Sequence, residues 1–136
     1  MIEKFSDYET GYLATEGVFE FEVKSYELAE GIKAAQAVFD VKCDEGITKV
    51  RHSLAPNARW SYNKFISACL NLTPEKKRTL EIDYEVIGND LVGKKFIGVV
   101  SLEVYDKISK EPQDDGTFKE TTEKKEAYKI TEYKTL

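Results

Sequence analysis

With 136 residues, 41% of them hydrophobic, the chain has enough apolar surface for one core and too little for two. Charged residues make up 33% and the formal net charge is -5, so no overall basic excess attracts a polyanion and any cationic groove must come from local clustering. The opening Met1-Ile2-Glu3-Lys4-Phe5 lacks the basic start and apolar run of a secretion signal. No run reaches the roughly 18 apolar residues of a membrane span, and the expectation is a cytoplasmic protein without a membrane partner.

Residues 1–16 mix charge with Tyr8, Gly11 and Tyr12 without a sustained period, which predicts a flexible N-terminal arm ahead of a single domain over 17–136. Phe19, Phe21 and Val23 then alternate with Glu20, Glu22 and Lys24, the period of a strand with one face in a core and one in water. This predicts a strand over 18–26. After a turn at Glu30-Gly31, Ala35, Ala37, Phe39 and Val41 continue the alternation within a second strand over 32–43, which Val38 interrupts. Asp44-Glu45-Gly46 makes the next turn, and a third strand over 47–54 places Val50 and Leu54 on one parity and Lys49, Arg51 and Ser53 on the other.

Pro56-Asn57 stops the sheet, and Ala58, Tyr62, Phe65, Ile66, Cys69 and Leu70 recur at the spacing of one helical face. A helix over 57–72 capped by Asn57 is expected. Residues 73–92 read as a connecting segment. Phe96, Gly98, Val100, Leu102 and Val104 form a long strand over 94–106, with Gly98 marking a bend. The charged stretch 106–126 reads as a long functional loop, and a short strand over 127–133 closes the chain. This order predicts a mainly β fold, a five-stranded OB-type barrel with one helix between strands three and four.

Little in the chain is arranged for catalysis. The single histidine, His52, stands mid-strand without a Ser, Cys or Asp constellation and reads as a packing residue. No GxxxxGK[ST] or GxGxxG cradle for phosphate occurs. Carboxylate pairs such as Glu20 and Glu22 or Asp114 and Asp115 fall on a solvent parity and in a turn. Cys43 and Cys69 lack metal-ligand spacing and are expected to be buried, reduced thiols. The expectation is a non-enzymatic protein with no cofactor and no metal.

What remains is a set of cations and rings on strands: Lys24 and Tyr26 ending the first, Lys42 the second, Lys49 and Arg51 on the third, and Lys94, Lys95 and Tyr105 on the fourth. With Trp60 at the helix, these nine residues are the candidate nucleic-acid-binding set, since single strands are held by a cationic groove and by aromatic faces that stack on bases.

The run Asn57-Ala58-Arg59-Trp60 through Phe65-Ile66-Ser67-Ala68-Cys69-Leu70, followed by Leu91-Val92-Gly93-Lys94-Lys95-Phe96 and a strand ending Glu103-Val104-Tyr105, resembles a family of small phage-encoded proteins associated with replication and recombination. The likeness covers about residues 17–133, and the family is similar to phage OB-fold single-stranded-DNA-binding proteins. The resemblance implies sequence-nonspecific binding of single-stranded DNA in phage replication, recombination or repair, in the host cytoplasm. Replication or recombination proteins and a second copy of the chain are the further partners implied. The ending Thr131-Glu132-Tyr133-Lys134-Thr135-Leu136 departs from the acidic tail by which many such proteins recruit partners. The alternative is a protein-interaction module of a phage or bacterial assembly that binds no nucleic acid.

Overall fold

The computed structural model describes residues 11–136. Five strands, β1 (Gly17–Ala29), β2 (Gln36–Cys43), β3 (Gly46–Ser53), β4 (Lys95–Pro112) and β5 (Phe118–Lys134), form one antiparallel sheet in the order β3-β2-β1-β4-β5. Among the described residues no ladder joins β3 to β5, so the sheet is open where a closed barrel was expected. β1 serves two neighbours: Gly17–Glu22 pairs with β4 and Glu22–Ala29 with β2.

A bulge at Lys24 follows just after Glu22, the residue that pairs with both neighbours. Before it, Phe19, Phe21 and Val23 face the core. After it, the register has slipped by one and Tyr26, paired with Phe39, faces the core instead. An extra residue bends and twists a strand, and the sheet curls around its apolar side at this point.

The helix α1 (Arg59–Leu70) fills the curl with Tyr62, Phe65, Ile66, Ala68 and Cys69. Phe65 sits at the centre, with ring centroids 4.9 Å from Phe39, 5.2 Å from Phe96 and 5.0 Å from Tyr133. Phe21, Phe39, Phe65 and Phe96 are fully buried, and each contributes roughly 2–3 kcal/mol by removal of its surface from water. Both cysteines are free and buried among these groups.

Several boundaries differ from the sequence reading. Asn57 lies in a 3-10 turn, Pro56–Ala58, and Ala58 holds the N-cap position of α1 without a side-chain bond. Asn71, in the left-handed region at φ 53°, ends the helix. The helical region between β3 and β4 also holds α2 (Pro74–Thr79) and α3 (Ile87–Leu91), so one helix was too few. Thr73 caps α2 by accepting from the Lys76 amide at 3.3 Å. The alternation of Leu80, Ile82, Tyr84 and Val86 belongs to no strand. The strap between α2 and α3, with a turn over 84–86, rests Ile82 and Tyr84 on the core and leaves Leu80 and Val86 in water.

β2 starts at Gln36, four residues later than expected. The stretch 106–126 is the distal part of a β4–β5 hairpin, paired in register from Ser101↔Lys129 to Pro112↔Phe118. Gln113–Thr117 closes it, with Gly116 at φ 85° and a 2.7 Å bond from the Gln113 amide to the Thr117 carbonyl. Of the expected arm, residues 1–10 lie outside the described residues. Gly11–Glu16 is attached: Tyr12 bridges to Ile47 in parallel, the Leu13 amide donates to the Ile47 carbonyl at 2.8 Å, and Leu13 is buried.

Candidate nucleic-acid interface

The outer face of the sheet carries most of the residues singled out from sequence, and strand register sets their company. Cross-strand pairing puts Lys49 beside Asp40 and Lys42 beside Glu22, while Glu22 in turn pairs with Lys95 on β4. The Lys49 ammonium donates to Asp40 at 3.0 Å, Ser25 adds a second bond, and Lys49 first and then Ser25 hold the Asp40 carboxyl below the usual range. Lys24 pairs with Glu22, whose carboxyl it draws below its ordinary value, and Lys95 approaches Glu20 at 3.8 Å. Lys24, Lys42 and Lys95 thus line one open groove of about 330 Å³ together with Glu20, Glu22 and Asp44. Three ammonium groups facing three carboxylates leave little potential for a phosphate chain. Arg51 and Lys94 have no ion-pair partner among the described residues.

The three rings part company. Tyr26 is a strut: its ring packs on Phe39 at 5.1 Å, its hydroxyl donates to the Glu85 carbonyl, and burial raises its pKa. The backbone of Gly88 lies so close that an added Cβ would fall 2.3 Å from the ring, so no base can stack there. Tyr105 stands on the hairpin with the Lys129 ammonium 5.9 Å from its ring centroid. Trp60 is 63% exposed on α1, with Lys64 at 5.1 Å. The structure therefore brings Lys24, Lys42 and Lys95 together and sets Lys49 with Arg51 on β3, but Trp60 and Tyr105 belong to other elements.

A second surface, absent from the sequence reading, lies on the helices. Between Ala55 and Thr79 the chain carries Arg59, Lys64, Lys76, Lys77 and Arg78 against one carboxylate, Glu75, a balance of +4. The chain totals -5, so the other residues together carry -9. Trp60, Lys64 and Ser67 follow one another along α1 at the spacing of a helix face. Asn63 and Ser67 border the same cavity of about 160 Å³ as Lys77, which joins α2 to that face. Lys64, Lys76, Lys77 and Arg78 make no ion pair among the described residues. Arg59 is committed elsewhere, donating to the Leu54 carbonyl at 3.2 Å and lying 4.9 Å over the Tyr84 ring. A running charge count would have found this segment; strand parity drew attention away from it.

His52 is buried and stacked on Tyr62, with centroids 5.3 Å apart. Its Nδ1 lies 3.4 Å from the Ser61 hydroxyl and its Nε2 3.2 Å from the Tyr133 hydroxyl. Desolvation lowers its pKa to about 4, which keeps it neutral and part of the core. Among the described residues no group of three or more His, Cys, Asp or Glu side chains is placed to hold a metal ion, and no helix is long and apolar enough to cross a membrane. No protein-family model matches the sequence, and comparison with curated proteins gives no match.

Proposed function

We propose that this protein binds single-stranded DNA with little sequence preference, as a non-enzymatic component of phage replication, recombination or repair. The observation that carries the reading is the segregation of charge: +4 on the helical segment 55–79 against -9 elsewhere, with the exposed Trp60 on the same face. Phosphates are captured by unpaired cations, and a neighbouring ring stacks on bases, worth roughly 1–3 kcal/mol per base. Lys64, Lys76, Lys77 and Arg78 supply the first element and Trp60 the second. Arg51, on the outer face of the sheet, and Lys94 have no ion-pair partner among the described residues and offer further contacts, while Lys24, Lys42, Lys49 and Lys95, held near carboxylates, contribute less.

The fold supports the same reading. The order β3-β2-β1-β4-β5, with β1 shared by β2 and β4, supports reading the open sheet as an OB-type arrangement, a partly open architecture that binds oligonucleotides. The side-chain contact of His52 on β3 with Tyr133 on β5 brings the two outer strands of the sheet near one another, which supports the same reading. The resemblance to the phage family adds the biological setting.

Trp60 is the only tryptophan and reports binding directly. Titration with an oligo-dT should quench its fluorescence, and four neutralised phosphates imply a log K against log salt slope of about -2.8. Lys76→Glu with Lys77→Glu should remove about half of that slope, and Lys49→Glu with Arg51→Glu should weaken binding less. Absence of salt-sensitive binding, with the variant folded, would leave the protein-interaction module as the reading.

A further inference from the structure

Beyond Val100 the sheet loses its cover. β1 ends its pairing at Gly17↔Val100, and from there β4 and β5 continue as a two-stranded ribbon, about 34 Å from Leu102 to Pro112 at 3.4 Å per residue. The side of the ribbon continuous with the core-facing Val100 and Ile130 carries Leu102, Val104, Ile108 and the Pro112–Phe118 pair. Val104, Ile108 and Phe118 are 60–67% exposed. A hairpin without a third strand or a packed face is marginal in water.

We propose that this face docks on the same face of a second copy of the chain, the two ribbons lying antiparallel about a two-fold axis through Ile108. Charge complementarity selects that occupant. Along this face the rows run Val104/Glu126, Asp106/Lys124, Ile108/Thr122, Lys110/Glu120 and Pro112/Phe118. An isologous contact centred on Ile108 sets Ile108 against its own copy, Val104 against Pro112, Asp106 against Lys110 and Lys124 against Glu120. Every charge of the two inner rows meets its opposite. The same operation sets Glu126 against Phe118 at each end of the contact, the one uncompensated charge on this face.

Edge-to-edge growth along β4 is disfavoured. The Glu16 carboxylate occupies its edge at the base, accepting from the Leu102 amide at 2.8 Å, and Pro112 has no amide to offer at the tip. The stacked faces cover about 540 Å² in total, from about 27 Å of ribbon about 10 Å wide on each copy. That is below the roughly 1,200 Å² of standard interfaces, so the dimer is weak and depends on concentration.

Sedimentation velocity of the full chain without nucleic acid, from micromolar to millimolar concentration, tests this apart from any DNA binding. The wild type should pass from monomer to dimer. Ile108→Lys, which sets two ammonium groups face to face, should stay monomeric with an unchanged circular dichroism spectrum. Asp106→Lys with Lys124→Asp keeps the pair within the ribbon but opposes like charges across the contact, and should also stay monomeric. Adding Lys110→Asp and Glu120→Lys should restore the dimer. A wild type that is monomeric throughout, a dimer that survives Ile108→Lys, or a four-residue reversal that fails to restore association would each overturn the proposal.

Discussion

Lowering the pH puts a defined load on the junction between β3 and β5. His52 is neutral in the folded protein because burial lowers its pKa from 6.5 to about 4. The unfolded chain takes up a proton near the ordinary value of about 6.5. Between these values the unfolded state binds more protons, so stability rises with pH: it is complete above about 6.5 and lost as pH falls toward 4. The full loss is 2.5 pH units at 1.36 kcal/mol each, about 3 kcal/mol, of which about 2 kcal/mol has gone by about pH 5. Urea unfolding at about pH 7.5 and about pH 5 should show that difference as a lower midpoint with an unchanged slope. The double variant His52→Phe with Tyr133→Phe has no titrating imidazole at this junction, and its midpoint should move much less. Glu22 and Asp40, whose carboxyls are held low by Lys24 and Lys49, begin to lose their contribution only as pH falls through their ordinary values of 4.5 and 3.8, below the pH 5 measurement. Equal wild-type stability at both pH values, or an equal loss in the double variant, would refute the burial argument.

Gly98→Ala should destabilise by about 1–3 kcal/mol, because the new Cβ would lie 2.8 Å from the Phe21 ring and 3.1 Å from Ile130; chemical denaturation measures it. Gly116→Ala on the hairpin turn meets open space but a φ of 85°, so it should cost about 1–2 kcal/mol of backbone strain and leave the core of the body intact, as near-ultraviolet circular dichroism will report. Neither cysteine should react with a thiol-specific reagent in the folded protein, because both are buried and burial pushes the Cys69 thiol up to about 12. Labelling should instead follow the unfolding transition.

The parts of the fold legible in the sequence are those where a core imposes a period. Phe19, Phe21 and Val23, the alternation around Phe39, and the helical face of Tyr62, Phe65, Ile66 and Cys69 each read as they stand, because burial on one side selects apolar residues at that spacing. The distal hairpin did not read as strand because no core within the chain covers it: Asp106 and Lys110 interrupt the apolar parity of Leu102, Val104 and Ile108, and Lys124 and Glu120 stand across from them on β5. The slip at Lys24 was hidden because one extra residue changes parity without changing composition.

The candidate site divides in the same way. Residue type alone placed cations on β2 and β3, but whether a cation is free depends on what stands across the ladder, and register gave Lys49 to Asp40 and set Lys42 beside Glu22. Ring type alone made Tyr26 equal to Trp60, and only packing against Phe39 and Gly88 separated a half-buried strut from an exposed platform. Periodicity and composition carried the order of the strands, the place of α1, the one-sided core and the local excess of charge on 55–79. Tertiary structure decided which charges are neutralised, which rings remain open and which face of the ribbon is left uncovered, because those properties depend on neighbours distant in the chain.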